Sequence, residues 1–384
     1  MGSPSAAWSF ECTSSSSTVL FRAGTSAVVL SAPHGGTLTP DAVPDRPSGC
    51  FELDTHTAQL ALAVWSALAG AGNAEAAGGA GDGAGGVPAL VVGKLHRRKV
   101  DLGRARASAA DSDAGRAAWD EYHNALREAL RAAVAAHGHA HLFDLHGQCH
   151  RPHATEVGHM LTNAELRGGS GGGGGGCGGG GSSGSAGCCA GSGASMELGR
   201  SSLGAMAQLR AFAGVEDAVR GAHAVGTLLE QQEGGGEVGR CCYRAVPSAS
   251  TPHPCCCDRC GASDACTRDG CACTGFDAKA WDGASAAGGA MGRCSFFWGA
   301  NTIAAYGGGR ELPGQPPRRS SQLPEFQGRV AATQLETQWT GAREDGAQIE
   351  RFGAALASAI EGFMRHFYGR GVHSDGAGAP PASE

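Results

Sequence analysis

The chain has 384 residues, enough to bury a sizeable core, but 65 of them are glycine and many sit in runs that no core can use. Its formal net charge of -6 excludes the basic face that general nucleic-acid binding requires. No stretch of about 18 apolar residues occurs, which excludes a membrane-spanning helix.

The opening residues Met1–Ser17 carry neither the charged start nor the apolar block of a secretory signal. They are Ser-rich and acid-poor, as organelle transit peptides are, but Arg22 is the first basic residue and Arg46 the next. A cytoplasmic address is therefore expected. The 16 cysteines crowd into low-complexity stretches, and reduced thiols are expected rather than disulfides.

In chain order, 1–25 reads as an N-terminal segment before one domain over 26–370. Ser26–Ala32 (SAVVLSA) is a continuous apolar run, as in strands covered on both faces, and it leads into His34-Gly35-Gly36. Leu60, Val64 and Leu68 recur at helical spacing behind Asp54, and Ala69–Gly86 reads as a Gly/Ala loop. Ala89–Leu95 is a second apolar strand, running into the basic stretch His96–Arg104. Trp119, Tyr122, Leu126, Leu130 and Val134 form a helical stripe. A third strand, Ala140–His146, ends in Asp144-Leu145-His146-Gly147-Gln148. Segments 168–193 (Gly, Ser and Cys) and 254–292 (Cys-rich and turn-rich) read as low-complexity insertions. In the fourth strand, Val330–Glu336, alternation puts Gln334 and Glu336 on one side. The last helix carries Ile349, Phe352, Leu356, Ile360, Phe363 and Phe367 on one face, and 371–384 reads as a frayed tail. Strands alternating with helices imply an α/β sheet, at least partly parallel, whose ligands sit outside the carboxyl ends of the strands.

Those carboxyl ends carry the chemistry. Imidazole is the commonest metal ligand, and a catalytic zinc takes three protein ligands with one position open. His34 and His146 are candidate ligands, with Asp54 as the third and Glu52 as its alternative. A lone strand-end histidine is often only a hydrogen-bonded surface residue, so it is the pair that gives the signal. Asp144 either accepts a hydrogen bond from a ligand imidazole or caps a turn. The run from His96 is either a solvated loop or an arginine fork for a substrate carboxylate, with Arg104 as anchor and Asp101 orienting it. Glu336 is either a general base or an edge carboxylate paired with Arg343. In the second insertion, Cys257-x-x-Cys260 and Cys271-x-Cys273 offer a structural zinc module as the competing reading.

The ordered blocks PHGG (33–36), LDTHTAQLA (53–61), RKVDLGR (98–104), FDLHGQCH (143–150), EVGHMLT (156–162), SSLGAMA (201–207), VRGAHAVGTLLE (219–230), YRAVPSAS (243–250), FFWGANTIAAYG (296–307) and VAATQLE (330–336) resemble the N-formylglutamate amidohydrolase family. The resemblance spans about 26–368. It implies a three-layer, phosphorylase/hydrolase-like α/β fold with a mixed central sheet, related to the zinc carboxypeptidases. It implies zinc-dependent hydrolysis of the formyl amide of an N-formyl acidic amino acid such as N-formylglutamate, giving formate and the free amino acid. Carried over by position, His34, Asp54 and His146 are the zinc ligands, Glu336 the general base and Arg104 the arginine that holds the substrate carboxylate. Asp101, Gln148 and Glu156 line the substrate side. The partner implied is a small N-acyl amino acid; oligomeric state leaves no trace in the sequence. Two departures stand out: Gly103 where the family has Asn before the motif arginine, and Gly299-Ala300 where it has Gly-Gly. A degenerate member that keeps the fold without catalysis is the remaining alternative.

Overall fold

The four strands read from the sequence form adjacent parallel strands at the centre of one sheet. In the computed structural model the described residues are 18–78, 86–149, 154–161, 165–166, 196–232, 243, 245–249, 301–308 and 322–369. The insertions 168–193 and 254–292, the tail 371–384, the pair Gly299-Ala300 and Cys257, Cys260, Cys271 and Cys273 lie outside them. Among the described residues the strands are β1 Val19–Arg22, β2 Val28–Ala32, β3 Ala89–Gly93, β4 Ala140–Gly147, β5 Thr155–Gly158, β6 Ala245–Val246 and β7 Val330–Thr337. They follow the order β1-β3-β2-β4-β7-β5-β6. Strands β3, β2, β4 and β7 run parallel, while β1 on β3 and β5 on β7 are antiparallel, so the sheet is mixed.

The helices are α1 Thr57–Gly78, α2 Arg106–Ala109, α3 Asp113–His137, α4 Val215–Arg220, α5 Val225–Glu230, α6 Asn301–Gly307 and α7 Gly346–Tyr368. Successive strand residues point to opposite faces, and the core divides accordingly. Leu30, Leu90, Val92, Phe143 and Leu335 pack under α1 and α7, against Leu60, Val64, Phe352 and Phe363. Val29, Val91, Leu142 and Ala332 pack under α3 and α6, against Tyr122, Leu126, Leu130 and Tyr306. With both faces covered, the central strands are buried along their length, which is why β2 and β3 read as largely continuous apolar runs. Helix α3 starts where the Ser112 hydroxyl accepts from Gly115 N at 3.1 Å, and α7 where Asp345 Oδ1 accepts from Gln348 N at 2.8 Å.

One expectation needs correcting. The loop expected over Ala69–Gly86 is helical as far as Gly78. The stretch AGNAEAAG has four alanines to two glycines, and alanine is the strongest helix former, so α1 continues through it. Strands β1, β5 and β6 were not visible in the sequence. They are four, four and two residues long, too short to display a period. Among the described residues no helix is long and apolar enough to cross a membrane.

Burial lowers the pKa of three histidines away from the carboxyl end of the sheet, His123, His141 and His159, and the first and last show the consequence for stability. His123 stacks on Trp119 at 3.8 Å and lies between Tyr306 Oη and Leu102 O, at 2.9 and 3.0 Å. Burial, against the pull of the Leu102 carbonyl, brings its pKa down to about 4. Burial likewise brings His159 down to about 3. Their folded pKa values lie below the unfolded value near 6.5, so stability is complete above that pH and is lost as pH falls toward the folded values. Each ring contributes a loss of about 1.4 kcal/mol per pH unit in that window. Denaturant midpoints measured with chelator present should therefore fall steeply from pH 6.5 to 5. A flat profile would mean that both rings take up protons inside the fold.

Candidate metal centre

Strands β2, β4 and β7 are neighbours and parallel, so their carboxyl ends share one edge of the sheet. β2 delivers His34 just beyond Ala32, β4 delivers Asp144 and His146, and β7 delivers Glu336. Register pairs His146 with Glu336, and Asp144 with both Ser31 and Gln334. The loop before α1 adds Asp54, whose backbone N–H donates to His34 O at 3.2 Å and whose carbonyl accepts from Thr57 N at 3.1 Å. His34, Asp54, Asp101, Asp144, His146 and Glu336 are all buried.

Three atoms meet at the centre. His34 Nδ1 lies 3.1 Å from His146 Nδ1, and Asp54 Oδ2 lies 3.3 Å from the first and 3.0 Å from the second. The far nitrogens decide which atoms carry lone pairs. His146 Nε2 donates to Asp144 Oδ2 at 3.1 Å, and Ser31 Oγ donates to the other oxygen of Asp144 at 2.5 Å. His34 Nε2 lies 2.8 Å from Asp101 Oδ1 and 3.2 Å from Gly103 N. One nitrogen cannot both donate to a carboxylate and accept from an amide, and the shorter, charge-assisted contact takes the proton. With both rings neutral, as metal ligands are, both Nδ1 atoms turn lone pairs toward Asp54 Oδ2. Three lone-pair atoms so placed repel one another unless a positive charge lies between them. Donors at about 2.0–2.2 Å around a tetrahedral ion stand about 3.3 Å apart, so the spacing suits a divalent ion. His34, Asp54 and His146 could thus hold one.

The electrostatics agree with the geometry. Burial would lower the His146 pKa, but Asp144, Asp54 and Glu336 hold it well above the ordinary imidazole range. The charges that stabilise an imidazolium there would equally stabilise a cation. Burial opposes ionisation of Asp54, yet His34, His146 and Arg97 keep its carboxyl well below the usual range. Asp101 is held down in the same way by Arg97, His34 and Arg46, against burial. Glu336 moves the other way: burial, aided by Asp54, raises its carboxyl against the attraction of His146. Its Oε1 accepts from Gln334 Nε2 at 2.8 Å and lies 4.0 Å from His146 Nδ1.

Of the two candidates for the third ligand, the carboxylate in the cluster is Asp54; Glu52 is exposed. Asp144 accepts from the His146 imidazole. Glu336 makes no ion pair with Arg343, whose guanidinium goes to carbonyl oxygens instead. Asp101, expected to orient Arg104, chiefly serves His34 and Arg97; Arg104 Nε approaches it only to 3.7 Å. The Arg104 backbone is fixed by Trp119 Nε1 at 2.9 Å while its side chain stays 46% exposed. Gln148 Nε2 donates to Ala154 O at 2.7 Å, and Glu156 lies opposite Glu336 in register on β5.

Sequence reasoning missed Arg97, which bridges Asp54 Oδ1 at 3.3 Å and Asp101 Oδ2 at 3.2 Å. Its one sequence signal is the four-residue spacing to Asp101 inside a basic run. It also missed Ser31, which looked like one more residue of an apolar strand.

No family model and no curated protein matches the chain. Among solved structures, the chain is similar to the crystal structure of N-formylglutamate amidohydrolase from Ralstonia eutropha JMP134. The two share 12% identity over 92% of this chain and 98% of that one, with a TM-score of 0.42. A gene product of Agrobacterium tumefaciens is similar over 39% of this chain and 65% of its own, at 14% identity and a TM-score of 0.28. Both scores are low, and the chemistry of this chain rests on its own atoms.

Gly103 presses on the centre directly. A Cβ at that position would lie 2.8 Å from His34 Cε1 and 2.9 Å from Nε2, so the position has no room for a side chain. Gly103→Ala should push the ring off Asp101 and weaken divalent-ion binding about 10- to 100-fold, as loss of a ligand's supporting hydrogen bond does. Chelator competition on the folded variant measures this. An unchanged affinity would show that the loop, rather than the imidazole, gives way.

Proposed function

We propose that this chain is a metal-dependent amidohydrolase that cleaves the formyl amide of an N-formyl acidic amino acid such as N-formylglutamate, with zinc as its ion. The observation that supports this best is the convergence of His34 Nδ1, His146 Nδ1 and Asp54 Oδ2 beside a second buried carboxylate, Glu336. The ordered motifs that resemble the N-formylglutamate amidohydrolase family add the substrate class.

Zinc held by two imidazoles and a carboxylate would act as a Lewis acid for amide hydrolysis. The protein's own groups account for the rest. Glu336, with its carboxyl raised by burial and Asp54, takes a proton from the attacking water. Oxygen adds to the formyl carbon, the C–N bond breaks, and Glu336 returns the proton to the leaving amine. Formate and the free amino acid result. Asp101 and Asp144 keep the Nε2 protons of His34 and His146 pointed away from the centre. Arg104, exposed and already anchored through its backbone, binds the substrate carboxylate, with Gln148 and Glu156 at the pocket wall. Kinship to the zinc carboxypeptidases is part of the same proposal.

Two variants divide the assignment. Glu336→Gln should keep zinc and lose most turnover, while His146→Ala should lose zinc and turnover together. Normal turnover in the first would remove Glu336 from the mechanism. Full zinc in the second, lost instead with Cys257→Ser, would move the ion to the cysteine-rich segment. The carboxylate site has its own test. Arg104→Ala should raise KM for an N-formyl acidic amino acid about 10- to 100-fold, the worth of a charged hydrogen bond of roughly 1.5–3 kcal/mol, with kcat little changed. A panel of N-formyl and N-acetyl amino acids with and without chelator reads the substrate class, and activity indifferent to chelator would reject the metal.

A further inference from the structure

Arg343 lies in the turn after β7, held there by its backbone N–H to Trp339 O at 2.9 Å, and is 2% exposed. A buried arginine ordinarily faces a carboxylate. The guanidinium of Arg343 instead meets three carbonyl oxygens. Nη1 donates to Thr55 O, and Nη2 donates to Gln148 O at 2.9 Å and Thr337 O at 3.0 Å. Those carbonyls are not scattered. Thr55 directly follows Asp54, Gln148 lies two residues after His146, and Thr337 directly follows Glu336. One planar group thus ties together the three segments that leave the candidate centre.

Two further observations belong to the same arrangement. Gly147, next to His146, makes room for it: a Cβ there would lie 2.4 Å from Arg343 Cζ. The carbonyl of Arg343 in turn accepts from His56 Nδ1 at 2.6 Å, so the turn grips the Asp54 loop at a second point. His56 itself holds a positive φ of 65°, uncommon for a non-glycine residue, and stacks on Trp339 at 5.5 Å.

We propose that Arg343 is a positioning residue for the metal centre, acting through the backbone of the Asp54, His146 and Glu336 segments and touching no ligand atom. The inference rests on the metal-site reading above. A guanidinium suits this role because its donors lie in one fixed plane, whereas an ammonium is a point charge on a flexible stem.

The test is zinc affinity by chelator competition, with cobalt(II) absorption as the spectroscopic readout of ligand geometry. It uses the full chain, Arg343→Ala and Arg343→Lys, each with and without millimolar guanidinium. The expected result is a 10- to 100-fold weaker affinity in both variants, with an altered cobalt spectrum and the fold retained. Added guanidinium should restore affinity to Arg343→Ala, because it re-supplies the planar donors. Wild-type affinity in either folded variant overturns the proposal, as does failure of guanidinium to restore the alanine variant. Should the alanine variant not fold, the lysine variant decides; if neither folds with guanidinium present, Arg343 serves the fold at large and the proposal falls. A wild-type chain that binds no zinc rejects the metal reading itself, and that is seen before any variant is made.

Discussion

The rest of the structure depends on two imidazoles turning the same nitrogen, Nδ1, toward one carboxylate oxygen at a buried point of the fold. His34 and His146 reach that position because β2 and β4 are parallel neighbours and end at the same edge. Each ring is fixed by a carboxylate on its far nitrogen, Asp101 for one and Asp144 for the other. Remove either carboxylate and the tautomer is free, so the lone pair no longer has to face inward. The near 3 Å triangle with Asp54 is therefore a product of strand topology and of proton placement together.

Such a site gathers negative charge that must be offset. Asp54, Asp101, Asp144 and Glu336 are all buried, and buried carboxylates are tolerated only when paired and hydrogen-bonded. Arg97 spans Asp54 and Asp101, Arg46 stands 3.8 Å from Asp101, and Ser31 donates to Asp144. Glu336 receives less: a Gln334 amide and a histidine 4.0 Å away. Its carboxyl is consequently the one pushed up while Asp54 and Asp101 are pushed down.

The arginines around the centre divide by what holds them. Arg97 and Arg343 are turned inward, the first to carboxylates and the second to backbone carbonyls, and both serve to hold the site's shape. Arg104 is held by its backbone and leaves its side chain toward solvent. Composition alone cannot separate these roles, since all three residues look alike in a list of charges.

The sequence by itself determined the central elements. The strands β2, β3, β4 and β7 and the stripes of α3 and α7 are long enough to be read, and burial on both faces makes β2 and β3 largely continuous apolar runs. It also determined that histidines stand at two strand ends with Asp54 and Glu336 at hand. The tertiary structure alone decided that His34 and His146, 112 positions apart, share one point in space. It decided that Asp101 serves His34 and Arg97 as well as Arg104, that Gly103 lies close against the His34 ring, and that Arg343 gathers three carbonyls rather than pairing with Glu336. Those outcomes follow from strand register and loop closure over long separations, whereas helical and strand periods are set within a few residues of chain.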